Sequence, residues 1–294
     1  MISLRGINRS FGEQQVLHDI AFDVAPGRMT GFVGANGSGK TTTMRIILGV
    51  LAASSGSVEV DGAPMGAGYR SRIGYMPEER GLYPKMSVID QLVYLGELHG
   101  LSAADARTRG TELLEQLGLG ERMTDTVETL SLGNQQRAQI AAALVHDPVA
   151  LILDEPFSGL DPMAVEITLA VLRDVAHAGA PVLFSSHQLD VVERLCDDLV
   201  IIADGRVRAS GSREDIRARH SSPEWTLVTA GDAGWVRGVA GVTVSEFDGG
   251  HVRFVADSPE LAEVVLREAV ERGTVQSFGP HHRPLTEIFT EVVR

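Results

Sequence analysis

Residues 34–42 read Gly-Ala-Asn-Gly-Ser-Gly-Lys-Thr-Thr, which is the Walker A pattern of a phosphate-binding loop. Glycines let the backbone turn tightly and approach phosphate oxygens, because they have no Cβ. The successive N–H groups of such a loop form a cradle for an anion. In this pattern the lysine, Lys40, neutralises the β- and γ-phosphates, and the hydroxyl of Thr41 ligates Mg²⁺. A chance glycine-rich turn is the alternative, and the completeness of the pattern argues against it.

The segments on either side of the loop support the same interpretation. Met29–Val33 is a short apolar run suited to a buried strand, and Thr42–Leu48 carries helix-compatible residues. A helix that begins after the loop directs the positive end of its dipole at the phosphates. The sequence therefore predicts a strand, a phosphate-binding loop and a helix in an α/β fold.

Composition limits the remaining possibilities. The chain has 294 residues, so one large domain or two modest ones are expected. A formal net charge of −13 argues against a nucleic-acid binder that works by broad phosphate neutralisation. The only cysteine, Cys196, excludes an internal disulfide and is read as a helix-packing residue in a reducing cytosol. No apolar run approaches the ~20 residues that span a bilayer, and the N-terminus lacks a signal-peptide core. We therefore expect any membrane part to come from another chain.

Three further residues carry the chemistry of a nucleotide hydrolase. The apolar strand Ala150–Leu153 ends in Asp154 and Glu155, the Walker B arrangement, in which Asp154 holds Mg²⁺ and Glu155 polarises the attacking water. A charged turn is the alternative, weakened by the phosphate loop in the same chain. His187 follows a second predicted strand, Val182–Phe184, and a histidine there can donate to a γ-phosphate oxygen. A lone histidine more often has no such role.

Other positions leave two interpretations open. Phe11, upstream of the loop, is read either as an adenine-stacking aromatic or as a loop residue folded onto the nearby strands. Ser131 and Gly133 stand at a predicted helix start, which is either a second phosphate-binding surface or an ordinary serine cap; taken alone, these residues favour the cap. Glu78 lies in a charged loop that either links the site to a neighbouring surface or is a solvated connector.

Periodicity predicts the coarse organisation. Helical spacing predicts an insertion of three helices, at Ser87–Leu98, Ala103–Leu117 and Gln135–Val145. Strands are predicted on either side of it, at Ile2–Asn8, Val16–Val24, Ser57–Val60, Leu199–Ile202 and Arg206–Ala209. The composition changes after Gly211, and Ser221–Pro223 is read as a linker. Beyond it we predict a small α+β unit. Its strands are predicted at Trp225–Thr229, Val242–Phe247, His251–Val255 and Val275–Phe278, and its helices at Pro259–Arg272 and Pro284–Val293. The adjacent His281 and His282 are read as a solvated loop, because further metal ligands are missing.

These motifs occur in the order of one known family. The Walker A stretch, the Leu130–Arg137 signature, Walker B at Leu151–Glu155, the Ser158–Asp161 turn and His187 follow one another, and the chain resembles the nucleotide-binding subunits of ATP-binding cassette (ABC) transporters. The resemblance implies an α/β P-loop NTPase cassette over residues 1–213, with an antiparallel β subdomain and a helical insertion at about 85–146. Residues 214–294, which end in the pattern Leu285–Phe289, resemble the small α+β accessory domain of some of these ATPases.

The resemblance also implies roles for individual residues. Two copies would sandwich two ATP molecules, so that Ser131 and Gly133 of one copy touch the γ-phosphate held by the other, with Asp161 at the seam. Glu155 would be the catalytic base, His187 the γ-phosphate sensor and Phe11 the adenine-stacking residue. The Mg²⁺ ligands would be Thr41, Asp154 and Glu78. The candidate ATP contacts are Phe11, Gly34, Asn36, Gly37, Ser38, Gly39, Lys40, Thr41, Thr42, Glu78, Ser131, Gly133 and Asp161.

Two departures from the family pattern affect these expectations. The signature has Leu132 and Asn134, where the usual version has glycine and glutamine, but it keeps Ser131 and Gly133. Glu78 replaces the usual glutamine of its loop, and an ionised carboxylate only accepts hydrogen bonds whereas an amide also donates them.

The sequence of Pro77–Pro84 resembles the corresponding loop in the ATPases of bacterial drug, antibiotic and sodium exporters, whose permease is a separate polypeptide. We therefore expect a homodimeric, cytoplasmic ATPase, bound to the inner face of the membrane through its permease, that energises export without contacting nucleic acid. The alternatives are a cassette ATPase of ribosomes or nucleic acid, which usually has two cassettes or coiled-coil insertions, and a regulatory module with a vestigial ATPase. Intact Lys40, Asp154, Glu155 and His187 speak against the last.

Overall fold

The computed structural model describes residues 1–79, 81–220, 224–281 and 285–293. They fall into two compact units, Met1–Arg213 with Val292–Arg294, and Glu214–Glu291. The predicted linker Ser221–Pro223 lies outside the described residues.

The first unit begins with three strands and then mixes helices and strands along the chain. Its strands are β1 (Ile2–Phe11), β2 (Gln14–Val24), β3 (Met29–Val33), β4 (Ser55–Val60), β5 (Ala63–Pro64), β6 (Ile73–Met76), β7 (Ala150–Leu153), β8 (Val182–Ser186), β9 (Asp198–Ala203) and β10 (Arg206–Ser212). Its helices are α1 (Lys40–Ile47), α2 (Ala67–Arg70), α3 (Val88–Leu98), α4 (Ala103–Gln116), α5 (Leu132–Leu144), α6 (Pro162–His177) and α7 (Leu189–Leu195).

Two sheets organise this unit. In the described part of the chain, β2-β1-β4-β5 form an antiparallel sheet, and β10-β9-β3-β8-β7-β6 form a second sheet. Strands β9, β3, β8, β7 and β6 of the second sheet run parallel, and β10 is its antiparallel edge. Every residue of β3, β7 and β8 is buried, which explains why these strands are mostly apolar in sequence. The phosphate loop, the Asp154–Glu155 pair and His187 follow β3, β7 and β8, so the sheet delivers all three to the carboxyl ends of neighbouring strands.

The helices α3, α4 and α5 form the insertion between β6 and β7. Each begins with a serine whose hydroxyl accepts the backbone N–H three residues later: Ser87 from Asp90, Ser102 from Asp105 and Ser131 from Asn134. The predicted helix Gln135–Val145 was placed three residues late at its start, because Ser131 caps the helix and α5 begins at Leu132.

Cys196 follows α7 and is buried beside Gly31 of β3, where a Cβ added to the glycine would lie 3.4 Å from the cysteine Cβ. Burial raises the pKa of this thiol to about 12. Because the thiolate is the reactive species, Cys196 is a packing residue, as the sequence predicted.

A pair of histidines joins the ends of two insertion helices. His146, after α5, stacks on His99, after α3, with ring centroids 3.7 Å apart and an interplanar angle of 10°. Burial, and next the neighbouring His99, lower the pKa of His146 to about 4, and Arg109 acts in the same direction while Asp147 opposes it. The folded chain therefore holds His146 in its neutral form.

We expect this histidine to make the protein less stable in mild acid. The unfolded chain takes up a proton at an ordinary histidine pKa of about 6.5, whereas the folded chain resists it until about 4, so stability is lost as the pH falls through this window. His146→Phe should remove about 1 kcal/mol of the difference in unfolding free energy between pH 7 and pH 5, after allowance for solvent screening. Urea denaturation at the two pH values measures it, and the exposed His177→Phe is the control. An unchanged pH dependence in His146→Phe would contradict this assignment.

The second unit is a small α+β fold. Its elements are α8 (Arg213–His220), β11 (Glu224–Thr229), β12 (Val242–Asp248), β13 (His251–Ala256), α9 (Pro259–Arg272), β14 (Val275–Pro280) and α10 (Leu285–Val293). Among residues 224–281 the strands form an antiparallel sheet in the order β12-β13-β11-β14, and its core includes Leu227, Phe254 and, from α9, Val265. The helix α8 was not predicted from the sequence.

The terminal helix was predicted from Pro284, which lies outside the described residues, as does His282. His281 Nδ1 lies 3.4 Å from Thr226 Oγ1, and the described residues contain no group of three or more His, Cys, Asp or Glu placed to hold a metal ion.

Candidate active site

The phosphate loop and the Walker B pair line one cavity of about 460 Å³. Residues from both motifs, from the loop after β6 and from β2 surround it: Val16, Asn36, Gly37, Gly39, Lys40, Thr41, Thr42, Glu78, Asp154 and Glu155. The fold thus brings together most of the predicted ATP contacts and all three predicted Mg²⁺ ligands. Val16 was not predicted, because nothing in the sequence of β2 marks one of its valines as facing a site formed by distant residues.

The loop has the conformation that its glycines predict. Gly37 and Gly39 have φ values of 79° and 107°, in the left-handed region that side chains disfavour. At Gly34 an added Cβ would lie 2.4 Å from the Ile202 carbonyl oxygen, so close packing against β9 excludes any larger residue. Ser38 donates its N–H to the Ala35 carbonyl at 3.1 Å and closes the turn.

Lys40 is 7% exposed and belongs to the cavity wall. Its ammonium donates to the carbonyl oxygens of Gly34 at 2.6 Å and Ala35 at 3.2 Å. Burial lowers the pKa of Lys40, whereas the nearby carboxylates of Glu155, Asp154 and Glu78 act in the opposite direction. The side chain therefore supplies a buried cation beside the carboxylates, at the place where the motif requires a partner for phosphate.

A chain of hydrogen bonds connects the phosphate loop with the ends of β7 and β8. Thr41 Oγ1 donates to one carboxylate oxygen of Asp154 at 2.8 Å, and Ser185 Oγ donates to the other. The same serine hydroxyl accepts the N–H of Glu155 at 2.8 Å. Ser185 is a functional residue that sequence reasoning missed, because only the pairing of β8 with β7 in the folded chain brings its hydroxyl to Asp154.

Glu155 is held by its backbone on both sides. Its φ of 53° lies in the left-handed region, which costs a residue with a side chain of order 1 kcal/mol. Its N–H is bound by Ser185, and its carbonyl oxygen accepts a hydrogen bond from Gln136 Nε2 of α5 at 2.9 Å. Its Oε2 lies 3.0 Å from Nδ1 of His187. The structure thus places the predicted base and the predicted sensor in direct contact.

Several predicted residues do not line this cavity in the described part of the chain. Phe11 ends β1, is 49% exposed and lies under the guanidinium of Arg9, whose Cζ is 4.5 Å from the ring centroid. Ser131 caps α5, and Asp161 caps α6 by accepting the Ala164 N–H at 2.8 Å.

The start of α5 and the turn before α6 meet at an exposed surface. A Cβ on Gly133 would lie 3.4 Å from the Gly159 carbonyl oxygen. Leu132 and Met163, on the two sides, are 60% and 74% exposed. Asn134 accepts a hydrogen bond from the guanidinium of Arg137, so this departure from the family pattern holds the first turn of the helix.

The described residues contain no helix long and apolar enough to cross a membrane.

Comparison with known proteins gives two family matches. The model described as ABC transporter matches residues 17–158, and the model described as the C-terminal domain of DrrA1-3-like ATP-binding proteins matches residues 211–293.

Individual proteins give the same result. The chain is 34% identical to the ABC transporter ATP-binding protein YhaQ of Bacillus subtilis (strain 168), over 100% of this chain and 98% of the relative. It is 31% identical to the Nod factor export ATP-binding protein I of Ralstonia nicotianae, over 98% of this chain and 92% of the relative. A solved structure of the ATP-binding subunit of an ABC transporter is 33% identical, with a TM-score of 0.69 over 74% of this chain and 92% of its own.

YhaQ matches from end to end, and the cavity carries the groups that its family needs for nucleotide chemistry. These findings show that the chain belongs to the ATP-binding and ATP-hydrolysing subunits of ABC transporters.

Proposed function

We propose that two copies of this subunit close around ATP, hydrolyse it with Glu155 as the base, and energise export through a separate membrane permease. The observation that carries the proposal is the position of Glu155 in the cavity wall, next to Asp154 and in contact with His187. Residues 1–213 would form the nucleotide-binding domain and residues 214–294 an accessory domain, which the two compact units and the two family matches support.

The reaction follows from the side chains in the cavity. Water attacks the γ-phosphorus, its proton passes to the Glu155 carboxylate, and the bond to the oxygen shared with the β-phosphate breaks to release ADP. His187, oriented by Glu155, donates a hydrogen bond to a γ-phosphate oxygen, and Lys40 neutralises the phosphates.

The donor set also fits Mg²⁺. Magnesium in nucleotide sites is held by one or two carboxylates together with substrate phosphates and water. Thr41 Oγ1 and the Asp154 carboxylate lie 2.8 Å apart, and Glu78 lines the same cavity. A bound Mg²⁺ would neutralise phosphate charge, and these three side chains are the ones that would hold it.

A contact to the adenine of ATP and residues from a second copy of the chain complete the proposed site. Phe11 would stack on adenine at the end of β1, and its half-exposed ring leaves a face for it. Ser131 and Gly133 lie outside the cavity of their own chain but on an exposed surface shared with the turn before Asp161. We assign this surface to the dimer seam, where the start of α5 would reach the γ-phosphate held by the other copy.

A comparison of two serine caps tests this assignment. Ser131→Ala and Ser102→Ala each remove a hydroxyl that accepts a helix N–H, at 3.3 Å and 3.1 Å, so each should cost about 1 kcal/mol of stability. Only Ser131→Ala should also lower kcat for ATP hydrolysis, by roughly a hundredfold, because it removes a donor to the transferred phosphate. Urea denaturation and phosphate release measure the two effects. Equal ATPase activity in both variants would leave Ser131 as a cap only.

The permease would dock on the surface formed by Glu78–Leu98. Tyr83 is 58% and Tyr94 39% exposed, and their rings meet edge to face with centroids 6.2 Å apart, an aromatic pair suited to a partner helix. The Ralstonia relative is named as a Nod factor export protein, which supports export as the direction of transport. Docking would place the subunit at the inner face of the cell membrane.

Affinity purification of the tagged full chain from its native membrane tests the transport function. A co-purifying protein with several membrane spans is expected, and its identity would indicate the class of cargo, a drug, an antibiotic or an ion. Recovery of ribosomal proteins or nucleic acid without a membrane protein would reject the transport proposal and leave only the ATPase activity.

A further inference from the structure

The loop that carries Glu78 is tied to helix α5 by a buried amide. Gln139, in the middle of α5, is 3% exposed. Its Nε2 donates to the carbonyl oxygens of Pro77 at 3.1 Å and of Glu79 at 3.2 Å. One side chain therefore holds the backbone on both sides of Glu78.

A second amide of the same helix holds the backbone of Glu155, another of the three acidic residues that line the cavity. Gln136 is 6% exposed, and its Nε2 donates to the carbonyl oxygen of Glu155 at 2.9 Å. Residues three apart share one side of a helix, so Gln136 and Gln139 form a pair directed at the cavity-forming loops. The first turn of this helix carries Ser131 and Gly133.

Packing alone does not account for an amide at position 139. Gln139 Oε1 is buried and accepts no hydrogen bond from the described residues. A buried acceptor without a partner costs about 1–3 kcal/mol, so the amide brings a penalty as well as its two hydrogen bonds. A residue kept at such a cost, beside a carboxylate of the cavity, indicates a role in positioning that carboxylate.

We propose that Gln139 is a positioning residue for ATP hydrolysis, which fixes Glu78 in the cavity and makes it move together with α5. The inference rests on the role proposed above for Glu78. It gives the start of α5 a physical connection to the nucleotide cavity of its own chain, through two buried amides and three backbone carbonyls.

The first test is Gln139→Met, which keeps the length of the side chain and removes the donor. In the full chain we expect kcat for ATP hydrolysis to fall about tenfold, the factor expected for the loss of a hydrogen bond of ordinary strength. ATP affinity measured without Mg²⁺ should stay within about twofold. The melting temperature should fall by only a few degrees, because the variant leaves the Pro77 and Glu79 carbonyls without their donor but also removes the unpaired acceptor Oε1. An unchanged kcat, or a fall in kcat fully explained by unfolding, would overturn the proposal.

The second test asks whether Gln139 acts through Glu78, by a double-mutant cycle with Glu78→Ala, which removes the carboxylate altogether. If it does, Gln139→Met should lower kcat much less in the Glu78→Ala background than in the wild type. Gln135→Met is the matched control, because Gln135 donates to two carbonyl oxygens of other loop residues, Val127 at 3.1 Å and Leu130 at 3.0 Å; its effect should be independent of Glu78.

The two proposals fail in different ways in this cycle. If Glu78→Ala alone leaves kcat and Mg²⁺ dependence unchanged, the role proposed for Glu78 is wrong. If Glu78→Ala lowers kcat but Gln139→Met has the same effect in both backgrounds, Gln139 does not act through Glu78 and the positioning proposal is wrong.

Discussion

Glu155→Gln should bind ATP as tightly as the wild type and hydrolyse it roughly a thousandfold more slowly. The amide has the same length as the carboxylate but cannot take the proton of the attacking water. The backbone of residue 155 should stay in place, because Ser185 and Gln136 bind its N–H and carbonyl rather than its side chain. Equilibrium binding of ATP and phosphate release at saturating ATP measure the two quantities.

Slow hydrolysis in this variant should also change its state of association. With ATP and Mg²⁺ present, Glu155→Gln should accumulate as a dimer in light scattering, whereas the wild type returns to monomer as ATP is consumed. Glu112→Gln, an exposed carboxylate on α4, is the control and should behave as the wild type. Turnover of ATP by Glu155→Gln at the wild-type rate would show that another group is the base.

Lys40→Ala should lower the affinity for ATP by roughly a hundredfold or more, since removing one partner of a buried charge pair costs about 2–5 kcal/mol. In this structure the reason is local: the ammonium lies among Glu155, Asp154 and Glu78, and without it three carboxylates face the phosphates uncompensated. Isothermal titration with ATP measures the affinity directly.

Lys85→Ala is the matched control, because this lysine is exposed in the loop before α3. It should bind ATP normally. Thermal unfolding without nucleotide should accompany the titration, since Lys40 also donates to the carbonyls of Gly34 and Ala35 and its loss loosens the empty loop. Wild-type affinity in Lys40→Ala would show that the cavity binds ATP by a different set of contacts.

The features of the fold and site that could be predicted from the sequence are those that depend on short continuous stretches of residues. The phosphate loop depends on glycine spacing within a few residues, and β3 and β7 are fully buried strands whose apolar runs are visible directly. The family and the α/β fold with its helical insertion followed from these motifs and are confirmed. The roles of the site residues stay predictions until the variants are measured.

The parts that were missed depend on pairing between distant segments. Val16 lines the cavity because β2 lies beside the phosphate loop, and Ser185 binds Asp154 because β8 pairs with β7. No local pattern shows either arrangement. Gln136 and Gln139 look like ordinary polar residues of a helix until α5 is packed on the strand ends.

For Ser131, both interpretations that the sequence left open, a helix cap and a second phosphate-binding surface, retain support. The hydroxyl caps the helix, and the cap places it on an exposed surface that a second copy can reach.

The single hydroxyl of Ser185 also limits how this sequence can drift during evolution. It serves Asp154 as a donor and the Glu155 N–H as an acceptor, in a position with no exposed surface. Alanine would fill neither role, and a larger side chain has no room to do so. Positions 154, 155 and 185 should therefore be inherited as one block, and a lineage that has lost the serine should also show changes in its carboxylate pair.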